Sequence, residues 1–327
     1  MKEKHVVIIG AGLGGLECGY ILAKNGMKVT VLEREAQVGG CLQTFRRGAA
    51  LFDTGFHYVG ALGEGESLHT LFSYFDLMSL PWKKLDEDCF DEVVIGEDAF
   101  AFANKHQRFY ERMSARFPKE REGLKKYVDF LKQVGDHIFD SFNLQNEGTF
   151  TNSLFTRSAY EFLNETIKDP LLRKVLSGTS LKMELNAPTL PLYTFAQIND
   201  SFIRSAWRLR GGGMQIAEKL VESIQAMGGE VNTRATVTSI KEEDGKVVGI
   251  TVNDEDYMEA DWFISSVHPA YTVSLVGESK KMRRIYRDRI ANLDNTFGMF
   301  TANIRLKPGM LPYQNKNIYE IRLKVSY

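Results

Sequence analysis

A glycine-rich turn near the N-terminus constrains the fold of this chain more than any other feature. Gly10, Gly12 and Gly15 have the spacing GxGxxG and directly follow the apolar run Val6 to Ile9. A short β-branched run that ends in glycine predicts a strand buried on both faces, as in a parallel sheet. Leu16 to Asn25 predicts a helix. Gly10 then permits the tight turn, Gly12 lets a ligand approach the backbone, and Gly15 lets the helix pack close to the strand.

The residues that follow complete a βαβ unit. Lys28 to Leu32 predicts a second strand, and Glu33 lies at its end, 18 residues after Gly15. A carboxylate at this position accepts hydrogen bonds from both ribose hydroxyls of an adenosine and repels a 2′-phosphate. Leu13 and Gly14 lie at the helix N-terminus, where free amides and a partial positive charge attract a pyrophosphate. These features together predict a dinucleotide site; the alternative is a glycine-rich turn in some other α/β protein.

A second glycine pair follows the ribose carboxylate closely. Gly39 and Gly40 come soon after Arg34, and Thr44 lies four residues beyond the pair. NAD dehydrogenases do not need this feature, whereas a flavin dinucleotide folds across it, because residues without side chains admit the pyrophosphate and ribityl chain. Thr44 offers a hydroxyl donor. We therefore predict FAD as the cofactor, with Arg34 among the residues that border it; the alternative is a solvent-exposed turn.

Composition excludes several classes of protein. The chain has 327 residues, room for about two domains, and 41 Lys and Arg offset 42 Asp and Glu. A net charge of −1 gives no field that selects nucleic acid. The three cysteines have no CxxC spacing, which argues against a disulfide framework and a metal site. No apolar run approaches a membrane span. We expect a cytoplasmic protein whose oligomeric state the sequence does not specify.

The middle of the chain has a different character. Residues 120–139 carry apolar side chains at three-and-four spacing, which predicts an amphipathic helix. Gly211-Gly212-Gly213 and a predicted helix from Met214 to Met227 follow, and after them the sequence again favours strands. Asp244-Gly245 suits a tight hairpin turn, and Trp262 to Val267 is a further apolar strand. We predict one sheet domain interrupted by a largely helical domain.

Several motifs resemble one family of flavoproteins. Val7 to Gly15, Glu33, the segment 39–45 and especially Phe52 to Gly60 are similar to the N-terminal half of the flavin-dependent phytoene desaturase, carotenoid isomerase and retinol saturase family, and most similar to its retinol saturase branch. The resemblance implies an α/β fold with a glutathione-reductase-type, Rossmann-like FAD domain at residues 1–80 and 200–270. A substrate or cap domain would comprise residues 81–199 and 271–327. The family pattern also implies cofactor contacts at Gly212, Gly213 and Met214. It further implies that the backbone of a strand near Val237 touches the adenine.

The resemblance also implies an activity. Family members carry out redox chemistry on the double bonds of apolar isoprenoid polyenes by hydride transfer at the flavin, which requires a dry apolar site. His57 would lie near the flavin ring as a hydrogen-bond partner or proton donor, and Asp53 and Gly55 would shape the pocket. The alternatives are a flavin amine oxidase or protoporphyrinogen oxidase, and a truncated flavoprotein without catalysis.

Three further expectations concern the C-terminal region. The family pattern includes a second flavin-binding segment with a Gly-Asp strand end, which has no match here, so we expect a shortened member or a fragment. Phe297 to Leu306 predicts the first strand of a substrate-domain sheet. Residues 280–290 carry six cations and one acid, which suits an interfacial helix in peripheral contact with anionic lipid; the alternative is a solvated helix face.

Overall fold

The fold was analysed in a computed structural model, which describes residues 4–139, 149–184, 189–277, 279 and 281–322. The chain divides into two compact units, each formed by three segments. Unit 1 comprises Met1–His57, Ser73–Leu80 and Leu209–Asn295. Unit 2 comprises Tyr58–Phe72, Pro81–Arg208 and Thr296–Tyr327.

Strands and helices alternate at the two ends of the chain, and helices dominate its middle. The strands are β1 His5–Ile9, β2 Lys28–Leu32, β3 Thr44–Arg47, β4 Ala50–Asp53, β5 Val59–Gly60, β6 Trp82–Lys84, β7 Asp91–Ile95, β8 Asp98–Phe102, β9 Ala206–Leu209, β10 Glu230–Asn232, β11 Val237–Glu243, β12 Lys246–Val252, β13 Asp256–Glu259, β14 Trp262–Ser265 and β15 Asn317–Ile321. The α-helices are α1 Leu13–Lys24, α2 Ser67–Tyr74, α3 His106–Arg116, α4 Arg121–Asp136, α5 Thr149–Phe155, α6 Ala159–Thr166, α7 Pro170–Ser177, α8 Leu192–Arg204, α9 Met214–Ala226, α10 Pro269–Leu275 and α11 Arg284–Ala291.

A parallel sheet organises unit 1. Its strand order is β10-β2-β1-β14, and each neighbouring pair is parallel. Val6 to Ile9 are all buried, as the continuous β-branched run predicts for a strand covered on both faces. The predicted βαβ unit is confirmed, although α1 begins three residues earlier than predicted, because the glycine motif itself forms its first turn.

Unit 1 also contains a two-stranded sheet, β3-β4, and a three-stranded antiparallel sheet. β11, β12 and β13 pair in that order, and Asp244 (φ 50°) and Gly245 (φ 78°) join the first two strands. Positive φ at both central residues is the conformation of a type I′ hairpin turn, so the turn prediction is confirmed. Ile250 and Val252 of this sheet pack in one core with Val7 and Leu32 of the parallel sheet.

Unit 2 is mainly helical and has its own core. Leu124, Tyr127, Val128, Leu131 and Val134 of α4 are buried in it, as their spacing predicts. Three strands that the sequence pattern did not reveal form a small sheet in the order β15-β7-β8, with β15 parallel to β7. A second small sheet has the order β5-β9-β6.

The predicted strand from Phe297 to Leu306 is wrong. These residues have no regular secondary structure, and Phe300 is 94% exposed. A strand needs a hydrogen-bonded neighbour, and among the described residues none pairs with this segment. An alternation of apolar side chains is therefore not sufficient for a strand here.

The unit boundaries follow pairing that the sequence does not display. Residues 58–72 fall in unit 2, where Val59 pairs with Trp207. Residues 271–295 fall in unit 1, where the Tyr271 hydroxyl donates to the carbonyl of Val237. Among the described residues, no helix has both the length and the apolar character that crossing a bilayer requires.

A buried ion pair joins distant segments within unit 2. Asp91 is fully buried and accepts from the Tyr58 hydroxyl at 2.7 Å, Lys182 Nζ at 3.2 Å and Asn317 Nδ2 at 2.8 Å. Burial lowers the pKa of Lys182, and burial together with the Asp91 charge raises the pKa of Tyr58. The Tyr319 hydroxyl lies 2.6 Å from that of Tyr58. A charge pair removed from water in this way is costly to break on one side only.

We expect Lys182→Met to lower the free energy of unfolding by about 3–5 kcal/mol, because it leaves the Asp91 carboxylate buried without a cation. The double variant Lys182→Met/Asp91→Asn should recover part of this loss. Urea denaturation monitored by circular dichroism gives the values. Lys125→Met, which removes an exposed partner of Asp129, is the control and should change stability little. Equal losses in the Lys182 and Lys125 variants would contradict this account.

Candidate cofactor-binding site

A cavity of about 430 Å³ lies in unit 1 at the carboxyl ends of β1, β2 and β14. Its volume is within the range of small-molecule sites, and in open α/β sheets ligands bind outside the carboxyl ends of the strands. The cavity is lined by Ile9, Gly10, Gly12, Leu32, Glu33, Arg34, Glu35, Gly40, Gln43, Ala235, Thr236, Val237, Ser266, Val267, His268 and Tyr271.

The glycine motif forms one wall of this cavity. Gly10 has φ +99° and donates to the Leu32 carbonyl at 2.8 Å. A β-carbon at Gly15 would lie 2.0 Å from the carbonyl oxygen of Gly10, so no residue with a side chain fits where α1 approaches β1. Gly12 is extended (φ −72°, ψ 177°), and a β-carbon there would have no atom within 4 Å. The space beside Gly12 is therefore open to a ligand.

The N-terminus of α1 presents backbone amides beside this wall. Gly12 is the N-cap and supplies no capping side chain, and the first turn holds no acidic residue. The first intrahelical bond runs from Leu16 N to Gly12 O at 3.0 Å, so the amides of Leu13, Gly14 and Gly15 precede it. Such a terminus attracts an anionic group.

Glu33 is held at the cavity by the backbone. Its Oε2 accepts from the amide of Ala11 at 2.9 Å, and its Oε1 accepts from the amide of Glu35 at 3.0 Å. Each carboxylate oxygen can accept a further hydrogen bond, so both remain available to a diol. Arg34 also lines the cavity, but its guanidinium is exposed and pairs with Glu35 at 3.1 Å.

The second glycine pair lies directly beside the first motif. Gly39 is buried with φ +102°, and its amide donates to the Ala11 carbonyl at 2.7 Å. Gly12 and Gly39 form an isolated parallel bridge. A β-carbon at Gly40, which has φ +53°, would lie 3.4 Å from the Cα of Gly12. Gly39 is buried, whereas Gly40 is exposed and lines the cavity, so the pair is only partly a solvent-exposed turn.

Gly212 and Gly213 form a third group of glycines, which packs near this pair but lies outside the cavity lining. The amide of Gly213 donates to Asp53 Oδ1 at 2.7 Å. A β-carbon at Gly212 would lie 2.7 Å from Cγ2 of Thr44, and one at Gly39 would lie 3.3 Å from Sδ of Met214. The fold thus brings Thr44 and residues 212–214 together, although they are distant in sequence.

Three other parts of the chain contribute to the cavity. Val237 lines it at the start of β11, and its contact with the adenine stays a prediction from the family pattern. Ser266, His268 and Tyr271 line it too, and the sequence analysis missed them. The Ser266 amide donates to the Ile9 carbonyl at 2.8 Å, so the rule that parallel strands end at one edge could have identified this residue.

His57 does not line the cavity and is exposed. It stands at the C-terminal end of the first segment of unit 1. Its catalytic role remains a prediction from the family pattern. Within the described ranges, no group of three His, Cys, Asp or Glu side chains is placed to hold a metal ion.

Comparisons with known proteins extend this picture. The chain is 30% identical to an all-trans-retinol 13,14-reductase of Danio rerio over 275 residues, which cover 77% of this chain and 45% of the relative. It is 22% identical to a chloroplastic prolycopene isomerase of Daucus carota, with 81% of this chain and 46% of the relative covered. The chain therefore spans less than half the length of these relatives.

Solved structures show the same fold. An oxidoreductase from Methanosarcina mazei superimposes with a TM-score of 0.66 at 22% identity, over 88% of this chain and 65% of that structure. The sequence model of the flavin-containing amine oxidoreductases matches residues 13–285. The α/β fold and the relationship to retinol and carotenoid enzymes predicted from the motifs are confirmed. With most of its length inside that match, the chain belongs to the flavin-containing amine oxidoreductase family.

Proposed function

We propose that this protein is an FAD-dependent oxidoreductase that acts on carbon–carbon double bonds of an apolar isoprenoid or polyene substrate. The observation that carries the proposal is the cavity lined by both Gly12, whose open side can admit a ligand, and Glu33, with the N-terminus of α1 starting directly after Gly12. Family membership implies FAD, and this cavity fits the adenosine diphosphate half of that cofactor. The fit rests on open space where the pyrophosphate needs it and on an acceptor where the ribose needs it.

The named relatives support the substrate class. One is named for the reduction of a retinol and the other for the isomerisation of prolycopene, and both substrates are apolar polyenes. The family description mentions amines, so an amine oxidase is the alternative, as is a protoporphyrinogen oxidase. The related sequences have names that state retinol or prolycopene as the substrate, and this favours a polyene over an amine.

The residues of the chain would bind and orient the cofactor. The amides at Leu13, Gly14 and Gly15 would hold the pyrophosphate, and Glu33 would accept from the ribose hydroxyls. The backbone beside Val237 would face the adenine. Bound FAD supplies the hydride acceptor or donor. We further propose that unit 1 binds the cofactor and unit 2 provides much of the substrate site.

The second half of the cofactor site is proposed from sequence pattern and packing. Gly212 packs against Thr44, Gly213 packs against Phe56, and Met214 lies beside Gly39. These residues would contact the ribityl chain through their backbone and through the Thr44 hydroxyl. His57 follows this region in the family pattern and is proposed as a partner of the flavin ring or a proton donor to substrate.

We propose a cytoplasmic location with peripheral contact to a membrane. All three cysteines, Cys18, Cys41 and Cys89, are free thiols, a state that a reducing compartment maintains. An apolar polyene partitions into a bilayer because burial removes its surface from water. An enzyme bound to the membrane surface therefore has direct access to such a substrate.

Gly12→Val should abolish most FAD binding without unfolding the protein. The side chain enters open space, so stability is retained, but it occupies the place proposed for the pyrophosphate. A clash of this kind costs about 1–3 kcal/mol, or roughly 5- to 150-fold in affinity. FAD titration by fluorescence and a thermal melt measure the two effects. Gly298→Val, at another glycine with open surroundings, is the control. Equal FAD affinity in both variants would contradict the proposed pyrophosphate position.

Glu33→Gln should weaken FAD binding and relax selection against a 2′-phosphate. Loss of a charged hydrogen-bond acceptor costs about 1.5–3 kcal/mol, or roughly 10- to 150-fold. Competition of ADP and 2′-phospho-ADP with FAD measures the selectivity, with the exposed Glu255→Gln as control. Wild-type protein should bind ADP more tightly than 2′-phospho-ADP. This difference in affinity should decrease in the Glu33 variant and stay unchanged in the Glu255 variant. Unchanged selectivity would remove Glu33 from the ribose site.

The reaction is tested with protein reconstituted with FAD. Under anaerobic conditions, a retinoid or carotenoid should change the oxidation state of the flavin or be isomerised, as followed by absorbance and product chromatography. A diamine and protoporphyrinogen should leave the flavin unchanged. Reduction by the diamine would favour the amine oxidase alternative. Stable FAD binding with no turnover of any substrate would favour a non-catalytic flavoprotein.

A further inference from the structure

A basic segment of unit 1 contains the exposed helix α11. Its described cations are Lys281, Arg283, Arg284, Arg287 and Arg289, with Asp288 as the one acid between residues 281 and 290. Lys280, which the sequence pattern also includes, lies outside the described residues. Five cations and one acid make this segment strongly positive in a chain whose net charge is −1.

One side of α11 and the residues just before it contact the rest of unit 1. The hydroxyl of Ser279 donates to the Glu242 carboxylate, and Met282 packs against the core beneath the sheets. Arg287 is half-buried and its Nε donates to the Met282 carbonyl at 3.4 Å. Ile290 is half-buried as well. These contacts fix which side of α11 faces away from the protein.

The opposite side presents apolar side chains to solvent. Ile285 is 79% exposed, Tyr286 49% and Leu293 53%. Residues 285 and 289 are four apart, so a helical path of 100° per residue places them on one stripe, with Tyr286 beside it. Leu293 follows two residues after the end of α11. No residue of α11 is buried. A merely solvated helix face does not need large apolar side chains such as Ile285 and Tyr286 on its outer side, with a third, Leu293, just after the helix.

The pattern matches the chemistry of a bilayer surface. Arg289 lies within the apolar stripe, and Arg284, whose side chain is 94% exposed, lies beside it and 3.7 Å from Asp288. Apolar side chains enter the boundary between headgroups and acyl chains, and arginines at the same depth pair with anionic headgroups. Nucleic acid would match the cations but not the apolar stripe.

We infer that α11 is a docking surface for membranes that contain anionic lipid, with Ile285, Tyr286 and Leu293 inserted at the interface and Arg284 and Arg289 on headgroups. This inference deepens the membrane contact proposed above by assigning it to one helix. It is independent of the cofactor, since no residue of α11 lines the cavity.

The test uses the full chain and vesicles of phosphatidylcholine with or without phosphatidylserine. The protein should sediment with the anionic vesicles, and the binding should weaken as salt is added. Arg284→Ala/Arg289→Ala should reduce binding roughly 30-fold at low salt, because each arginine near the surface contributes about 1 kcal/mol. Ile285→Ser/Leu293→Ser should reduce the binding that persists at high salt. Arg121→Ala/Lys126→Ala, at exposed positions of α4, is the control for charge and should bind like wild type.

A tryptophan reports insertion directly. Ile285→Trp should show a blue shift of fluorescence with anionic vesicles, whereas Lys126→Trp should show none. Thermal melts establish that each variant is folded. The inference is overturned if the wild type does not sediment, if the α11 and α4 double variants bind equally, or if the protein is retained only on RNA or on an acidic polypeptide. Any of these outcomes leaves the FAD titrations unaffected, so the two proposals fail separately.

Discussion

The close approach of α1 to the end of β1 is the constraint on which the cofactor site depends. The carbonyl oxygen of Gly10 occupies the position that a β-carbon at residue 15 would need, 2.0 Å away. Only glycine at that position lets the helix begin at Leu13 with its amides beside the open side of Gly12. A helix displaced by a side chain would carry those amides away from the cavity, and with them the means of binding a pyrophosphate.

The backbone of one residue, Ala11, then links two further parts of the site. The amide of Ala11 binds the Glu33 carboxylate, and its carbonyl accepts from Gly39. The end of β2 and the second glycine pair are therefore fixed relative to the first turn by backbone hydrogen bonds. Backbone groups are present whatever the side chains are, so a fold held by them is compatible with a similarity of fold to a solved structure only 22% identical to this chain.

The two units use polar groups in opposite ways. In unit 2, the charge of Lys182 is withdrawn from water and neutralised by Asp91, with aromatic rings around it; its Nζ lies 4.0 Å from the ring centre of Phe202. In unit 1, the arginines of α11 remain in solvent beside apolar side chains that have no cover. The first arrangement joins segments within the protein. The second leaves both charge and apolar surface available to an external partner, which is why we assign α11 to a membrane.

The sequence by itself determined the elements whose causes are local. The strand β1, the turn at Gly10 to Gly15, the hairpin at Asp244-Gly245 and the buried face of α4 all follow from patterns within a few residues. Tertiary structure alone decided that Tyr271 reaches the cavity, that Asp91 meets Lys182, and that Phe297 to Leu306 is not a strand. These outcomes depend on partners remote in the chain. A hydrogen-bonded neighbour, a counter-charge or a cavity wall is supplied by packing, and local periodicity carries no information about which distant segment supplies it.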